Sequence, residues 1–486
     1  MALSLGEKLA NGAFSPQNRE RFGLHYLGIS LVLAWYYCLW FSPNVFSSSI
    51  PIVDDRVTYS WLITLGTSGI SFLIMPLLFR KVPAISHSRA IHVSAAVLCA
   101  ATLVCTLWDQ GFANPVLSLV VFPLTFGICN AIIWVAWSGF HARKRSAFTL
   151  QKFAFCYGAT MLVSIIIAEI LPHGFANLFV ALLPLACSAA YTAENARLGD
   201  AKPPTLLPKA TRAKADKATL NISIALFIAC MVSYYTIAII PVDDLIFDGA
   251  DYAVGMILAA ALCVGIAGWA KVFKRSAGAY RLLPLLLVAC SVACALFASG
   301  YANLYWISFT ISVVLAGIFE VFMISYFGSL SSKGHLVPAT AFGLSSAVVR
   351  LGFLSGDALG VVYENDSFLY ENFPFPTAIL MLVLLAAALI PLLRQESVIL
   401  QLTSAPVSTT EIDEVCEGAI QDFSLSKREG EILKFIARGY TIDSISKKLV
   451  ISPYTTQTHV RHIYSKMNVH KRSELVDYLN MHRFES

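Results

Sequence analysis

Between residues 22 and 393 the chain alternates long uncharged apolar runs with short polar connections. A helix that crosses the hydrocarbon core of a bilayer needs roughly 20 mostly apolar residues. Twelve runs fit: about 22–42, 58–79, 91–108, 113–140, 147–171, 174–192, 219–241, 252–270, 282–299, 303–328, 340–362 and 375–393. Residues 108–115 separate the third from the fourth, and no small-residue cleavage site follows the first, so it is expected to stay as a helix. From Asp422 onward the pattern changes: apolar residues recur at helical spacing between helix-start and helix-stop signals. The chain therefore reads as all-α, a polytopic bundle of about twelve membrane helices with a small four-helix domain behind it.

The charged connections orient the bundle. With a cytoplasmic N-terminus, the inner loops hold Arg80, Lys81, Arg89, Arg143, Lys144, Arg145, Lys152, Lys271, Lys274, Arg275, Arg281 and Lys333, and no acid. The outer loops hold Asp54, Asp55, Asp109, Asp243, Asp244, Asp248, Asp251, Glu364, Asp366 and Glu371 against Arg56. Twelve spans return the C-terminus to the cytoplasm, which predicts a multi-pass membrane protein with both termini inside. The expected segments are a cytoplasmic 1–21, a membrane domain 22–393, a linker 394–421 and a C-terminal domain 422–486. The membrane domain splits into halves 22–192 and 219–393 around a polar loop, 193–218.

Composition agrees. Of 486 residues 57% are hydrophobic and 13% charged, against roughly 25% charged in soluble domains, which excludes a purely soluble or disordered chain. From Asp422 to Ser486 there are 11 Lys and Arg against 7 Asp and Glu, so most of the net charge of +5 sits on the last domain. A basic domain on a near-neutral membrane body suggests a polyanionic partner. The eleven cysteines form no CxxC pair; ten lie in apolar runs and Cys416 lies in the expected linker. No metal cluster, phosphate loop or nucleophile–base constellation stands out, so neither a cofactor nor an enzyme is expected.

A 6+6 arrangement about a cytoplasmic loop resembles the major facilitator superfamily in layout. That family carries a basic loop with Gly and Asp between its second and third helices. Here the loop reads LLFRKVPAISHSRA, basic but without either, and the second-half equivalent, GWAKVFKRSAGAYR, lacks the acid. The resemblance implies a substrate site near the midplane between the first, fourth, seventh and tenth helices. Its candidate lining is Tyr36, Tyr37, Asn130, Trp134, Trp137, Tyr234, Tyr235 and Glu320, a mixture suited to a small, possibly aromatic ligand. Ionisable groups at membrane depth are costly and are functional candidates by default. Glu169 lies near a helix end beside Pro172. Glu320 and Arg350 fall at similar depth, roughly 10 Å inside the cytoplasmic boundary at 1.5 Å per residue, and Asp357 follows seven residues on, on the same helical face. An ion-pair group of Glu320, Arg350 and Asp357 is expected, either static or acting as a latch.

In the last domain Ser426 and Glu429 form a capping box, and Ile432, Leu433 and Ile436 an apolar face that ends at Gly439. A second helix from Thr441 buries Ile442, Ile445 and Leu449. Ser452-Pro453 starts a third, with Thr456, Val460, Ile463 and Met467 inward and Tyr454, Gln457, Thr458, Arg461 and Ser465 outward; Asn468 closes it. A fourth runs from about Lys471 to Asn480. Two helices joined by a tight turn, the second with a polar and basic outer face, make a helix-turn-helix that enters a major groove. The segment also resembles the LuxR/NarL-type DNA-binding domain. RE-x-E-x-L falls at Arg428, Glu429, Glu431 and Leu433; SPxTVxxH at Ser452, Pro453, Thr455, Thr456 and His459; K-[LM]-x-V at Lys466, Met467 and Val469. Thr456 and Gln457 replace the family's usual Val and frequent Lys, and a Gln amide is able to make two bonds to adenine.

The resemblance, read with helix position, implies base contacts from Gln457, Thr458 and Arg461, and phosphate contacts from Thr455, Lys466, Lys471 and Arg472. It also implies a homodimer on double-stranded DNA paired through Leu475, Tyr478 and Leu479. Relatives often carry a phosphoacceptor receiver, and a 28-residue linker with a mean reach of about 30 Å leaves no room for one here. The expectation is a membrane-embedded one-component regulator: an unidentified small molecule bound in the bundle changes how the tethered domain engages DNA. The alternative is a facilitator-type transporter with an appended regulatory DNA-binding domain.

Overall fold

The computed structural model describes residues 24–46, 55–78, 84–107, 112–199 apart from 147, 201–241 apart from 208, 245–246, 250–272, 282–395, 399, 409–470 apart from 438, 439 and 441, 474–475 and 478–479. Among these residues all regular structure is helical. The chain divides into two compact units, Met1–Ala405 and Pro406–Ser486.

The first unit holds α1 (Leu27–Phe41), α2 (Asp55–Leu78), α3 (Ala84–Leu107), α4 (Phe122–Lys144), α5 (Phe155–Ile170) and α6 (His173–Leu198). Its second half holds α7 (Lys209–Ile239), α8 (Asp251–Val272), α9 (Leu283–Ala298), α10 (Tyr305–Ser332), α11 (Pro338–Glu364) and α12 (Pro374–Arg394). A 3-10 turn, Leu24–Tyr26, leads into α1, and π turns, Leu117–Val121 and Leu150–Ala154, lead into α4 and α5. Among the described residues, eleven helices are long and apolar enough to cross a membrane. The twelfth, α9, has 16 residues, which spans about 24 Å. The expected central loop is shorter than 193–218, because α7 already begins at Lys209. Its first turns, KATRAKADKA, are rich in Ala and Lys, which favour helix even where no apolar face demands it.

Burial sorts the helices into layers. In their most apolar stretches 83% of residues are buried for Leu24–Phe41 and 78% for Ala302–Ser332, against 28% for Pro374–Arg394. The outer face of α12 presents Ile379, Leu380 and Val383, which suits a lipid neighbour. The halves meet chiefly as α2 against α11 and α5 against α8. If helix i of one half corresponds to helix i+6 of the other, one pair maps onto the other, as a pseudo-two-fold axis requires.

Small residues permit the closest approaches. Gly352, Gly356 and Gly360 turn toward α7, and a Cβ at 356 would lie 2.1 Å from the Met231 carbonyl oxygen. A Cβ at Gly158 of α5 would lie 2.7 Å from the Ala260 oxygen of α8.

The two ends of the bundle differ. Where even-numbered helices lead into odd-numbered ones, the α4–α5 connection packs against the second half. Ser332 Oγ donates to the Ser146 carbonyl at 2.8 Å, the Phe148 ring fills the space over Gly328, and His141 stacks on Phe342. In the connection after α10, Gly334 accepts from the Leu207 amide at 3.0 Å. At the opposite end, where odd-numbered helices lead into even-numbered ones, a cavity of about 220 Å³ opens between the halves.

The second unit holds α13 (Thr409–Asp422), α14 (Lys427–Ala437), α15 (Ile442–Leu449) and α16 (Pro453–Lys466). Residues 409–421, expected as linker, are therefore helical, and the Cys416 and Ala419 side chains join the core formed by Leu425, Ile432, Leu433, Ile445 and Ile463.

Candidate functional site

α16 starts where Ser452 Oγ accepts from the Thr455 amide at 2.9 Å, with Pro453 at the first helical position. Its inner side chains Thr456, Val460 and Ile463 are buried, and the Thr456 hydroxyl donates to the Ser452 carbonyl at 3.1 Å. That bond supplies the partner which a Thr in a position usually held by Val requires. Gln457 and Arg461 are exposed on the outer face, while Thr458 is half-buried and donates its hydroxyl to the Tyr454 carbonyl at 3.1 Å. Thr455 is exposed at the helix start. The turn before α16 passes through Val450, 90% exposed with φ +55°.

Glu429 fixes how α16 sits on α14. Its Oε2 accepts from the Ser426 amide and from Lys466 Nζ, each at 2.8 Å, while its own amide donates to Ser426 Oγ at 3.3 Å, completing the capping box. Desolvation works against ionisation of this carboxyl, but Lys466 and Ser426 outweigh it and hold it below the usual carboxylate range. Arg428 pairs with Glu431 at 2.7 Å and donates to the Leu449 carbonyl at 2.9 Å, tying α14 to the turn before α16.

Other expected site residues have contacts inside the domain. Lys466 donates to Glu429 and to the Ser424 carbonyl. Leu475 and Leu479 are buried within the domain's own core, and Tyr478 packs edge-on to Phe423. Cys416 and Ala419 of α13 lie in the same core. Lys471, Arg472, Gly439 and Thr441 lie outside the described residues. Composition also gave no hint that Glu429, His459 and His462 bring possible metal-ligand atoms within 4.8 Å of one another. A cation there competes with Lys466 for the same carboxylate.

In the membrane unit, Arg350 Nη1 pairs with Glu320 Oε1, and both side chains are buried. The guanidinium carbon lies 4.0 Å above the Tyr36 ring, and Tyr37 Oη donates to Glu320 at 3.4 Å. The helix that carries Glu320 is longer than expected: α10 continues to Ser332, twelve residues past Glu320, or about 18 Å along the axis. Asp357 is not part of that ion pair. It lines the floor of the cavity near Trp61 and Tyr234, and Glu364 and Asn365 lie at the rim.

The eight candidate lining residues are all buried, yet they divide among different places. Tyr36, Tyr37 and Glu320 surround Arg350 beneath the cavity, and Tyr234 lines it. Asn130 is buried with its side-chain oxygen unpartnered, and Trp134 packs beside Phe72 and Phe342. Trp137 donates to Cys187 Sγ at 3.2 Å on α6, and Tyr235 donates to the Pro374 carbonyl at 2.8 Å on α12, so these two face away from the cavity. Trp61 of α2, Tyr252 of α8 and Asp357 of α11 take their place. Choosing only the first, fourth, seventh and tenth helices hid them; the aromatic cluster at the start of α2, Tyr59 and Trp61, was the available signal. Away from the cavity, Glu169 accepts a hydrogen bond from Ser42, at the ends of α5 and α1.

Comparison with known proteins agrees with this division. Residues 423–479 match the family described as bacterial regulatory proteins, luxR family. Among curated relatives, the oxygen regulatory protein NreC of Staphylococcus epidermidis is 42% identical over 72 residues, 15% of this chain and 33% of that protein. The fimbriae Z protein of Salmonella typhimurium is 35% identical over 66 residues, 14% of this chain and 31% of that protein. The chain thus spans about a third of the length of these relatives. The membrane unit shares its fold with solved transporters. One is the human organic anion transporter MFSD10, with TM-score 0.52 and 14% identity over 78% of this chain and 100% of that one. Another is a bacterial homologue of the iron transporter ferroportin, with TM-score 0.54 and 14% identity over the same shares. Residues 423–479 are thus similar to the luxR-family regulatory domain, and the helical unit that precedes them shares its fold with solved transporters.

Proposed function

We propose that this chain is a one-component transcription regulator of a bacterial inner membrane. A small molecule enters the bundle cavity, shifts the packing of the two halves, and thereby changes how the C-terminal domain pairs on and engages double-stranded DNA. The loop charges orient the protein with both termini in the cytoplasm and the cavity open to the outside. One observation carries the reading: only residues 395–408 lie between α12 and α13, so a DNA-reading helix is joined to a ligand-sized cavity with no length for a phosphoacceptor domain between them. Gln457, Thr458 and Arg461 read base edges, and Thr455, Lys471 and Arg472 hold phosphates.

Genome-wide DNA crosslinking of the full-length protein in its host tests this. Discrete peaks are expected for the wild type and their loss for a Gln457→Ala, Arg461→Ala double variant, since each good base contact is worth about 1–3 kcal/mol. Peaks that survive the double variant, or none in the wild type, sink the assignment.

The second reading, a transporter with an appended regulatory domain, is favoured by the fold shared with transporters over 78% of the chain. Concentrative flux of a cavity ligand into proteoliposomes, abolished by Glu320→Gln, would establish it over a bundle that only senses.

A further inference from the structure

We infer that the cavity at the odd–even end binds a protonated amine that carries an apolar or aromatic group, with Asp357 as its counter-ion. This deepens, and rests on, the reading of the bundle as the ligand-binding half of the molecule.

The wall is aromatic: Trp40, Phe41, Trp61, Tyr234 and Tyr252 all line it. Its charged lining residues are Asp357 at the floor and Glu364 at the rim, and no Lys, Arg or His lines it. Both acids lie on α11 seven residues apart, hence on one face, so the negative charge leads inward from mouth to floor. Asp357 is 7% exposed, and among the described residues no Lys, Arg or His forms an ion pair with it. A carboxylate held so far from bulk water is stabilised most by a cation beside it. Aromatic faces carry negative quadrupole charge and attract the same ligand class. An anion entering here meets the buried Asp357 carboxyl and those faces; a neutral ligand leaves Asp357 without a counter-charge.

Two further groups point to a ligand. Trp40 Nε1 and Tyr234 Oη belong to lining residues, are buried, and have no hydrogen-bond partner. Such groups normally find one. An indole N–H only donates, so the ligand carries an acceptor, such as a hydroxyl or carbonyl, besides its ammonium group. A cavity of about 220 Å³ restricts the ligand to a small molecule.

The test is calorimetric titration of the full-length protein in lipid nanodiscs with benzylammonium, benzyl alcohol and benzoate, which differ mainly in charge. Saturable binding of benzylammonium is expected, at least tenfold tighter than either of the others. Asp357→Asn is expected to weaken it at least tenfold and Asp357→Glu to retain most of it, with circular dichroism confirming that both variants fold. Should Asp357→Asn not fold, Glu364→Gln at the rim serves instead, with a severalfold loss expected for the amine and none for the alcohol. The inference is overturned if the wild type shows no saturable benzylammonium binding, if benzyl alcohol or benzoate binds as well, or if the folded variants bind the amine unchanged. DNA occupancy, measured separately, distinguishes the two readings. Amine binding without any change in occupancy sinks the sensor and keeps the site, whereas occupancy that responds equally to all three compounds does the reverse.

Discussion

Glu429 is a carboxylate with three duties: it caps α14, anchors Lys466 of α16, and faces His462 at 3.7 Å. Because its folded-state carboxyl is held below the usual range, its contribution to stability is present above the unfolded value of about 4.3 and is lost as pH falls through the folded value. Urea unfolding of a 406–486 fragment is expected to show this acid-side loss in the wild type. Glu429→Gln is expected to be less stable near pH 7 and flatter toward acid; parallel profiles would refute the assignment. Val450 offers the opposite opportunity. A β-branched residue at φ +55° is strained, and an Asn tolerates that region far better. Val450→Asn is expected to stabilise the fragment by about 1 kcal/mol, a rise in melting temperature of roughly 4–8 °C for a domain of this size. An unchanged or lower melting temperature would show that the turn is not strained.

Among elements, α11 makes the closest backbone approach at a described glycine, at Gly356. A valine at position 356 has no space against the α7 backbone, whereas a Cβ at Gly265 meets nothing within 4 Å. Gly356→Val is expected to abolish monodisperse expression in detergent and Gly265→Ala to leave it unchanged; a well-behaved Gly356→Val protein would mean that α7 and α11 separate easily. The membrane helices were legible in the sequence because a twenty-residue apolar run has few other readings. Their ends were less so. The tenth helix continues through Ser329, Ser331 and Ser332, polar residues that end an apolar run but not a helix, since Ser329 Oγ donates to the Ser325 carbonyl. Helix α13 was hidden for a related reason. TTEIDEVCEGAIQD is acidic and rich in Thr, and its buried Cys416 and Ala419 are small enough to resemble linker composition. The reading helix, by contrast, announced both its cap and its buried face, because Ser452-Pro453 and the Thr456, Val460, Ile463 spacing are local signals. Cavity residues such as Trp61 and Asp357 were not legible as a group, since their meeting depends on how α2 and α11 cross and not on either helix alone.

At the scale of the whole molecule, orientation is open to direct measurement. Nine of the eleven native cysteines are buried and two half-buried, which keeps the labelling background low. Asn365→Cys, at the cavity rim, is expected to react with a membrane-impermeant maleimide in intact cells. Thr205→Cys, exposed in the loop between α6 and α7, is expected to react only once the cells are opened. The reverse pattern would invert the topology and place the cavity in the cytoplasm.

The glycine contact between α7 and α11 also has a mechanical meaning. Side chains at an ordinary helix interface act as springs, because their rotamers yield before the backbones move. At Gly352, Gly356 and Gly360 there are no such springs, so α11 behaves toward α7 as a rod seated in a groove with almost no play. The Pro338 end of the same rod follows the short connection containing Gly334, which is held by Leu207 of the segment joining the halves. A rigid shift of α11 at the cavity floor would therefore be felt at that connection too.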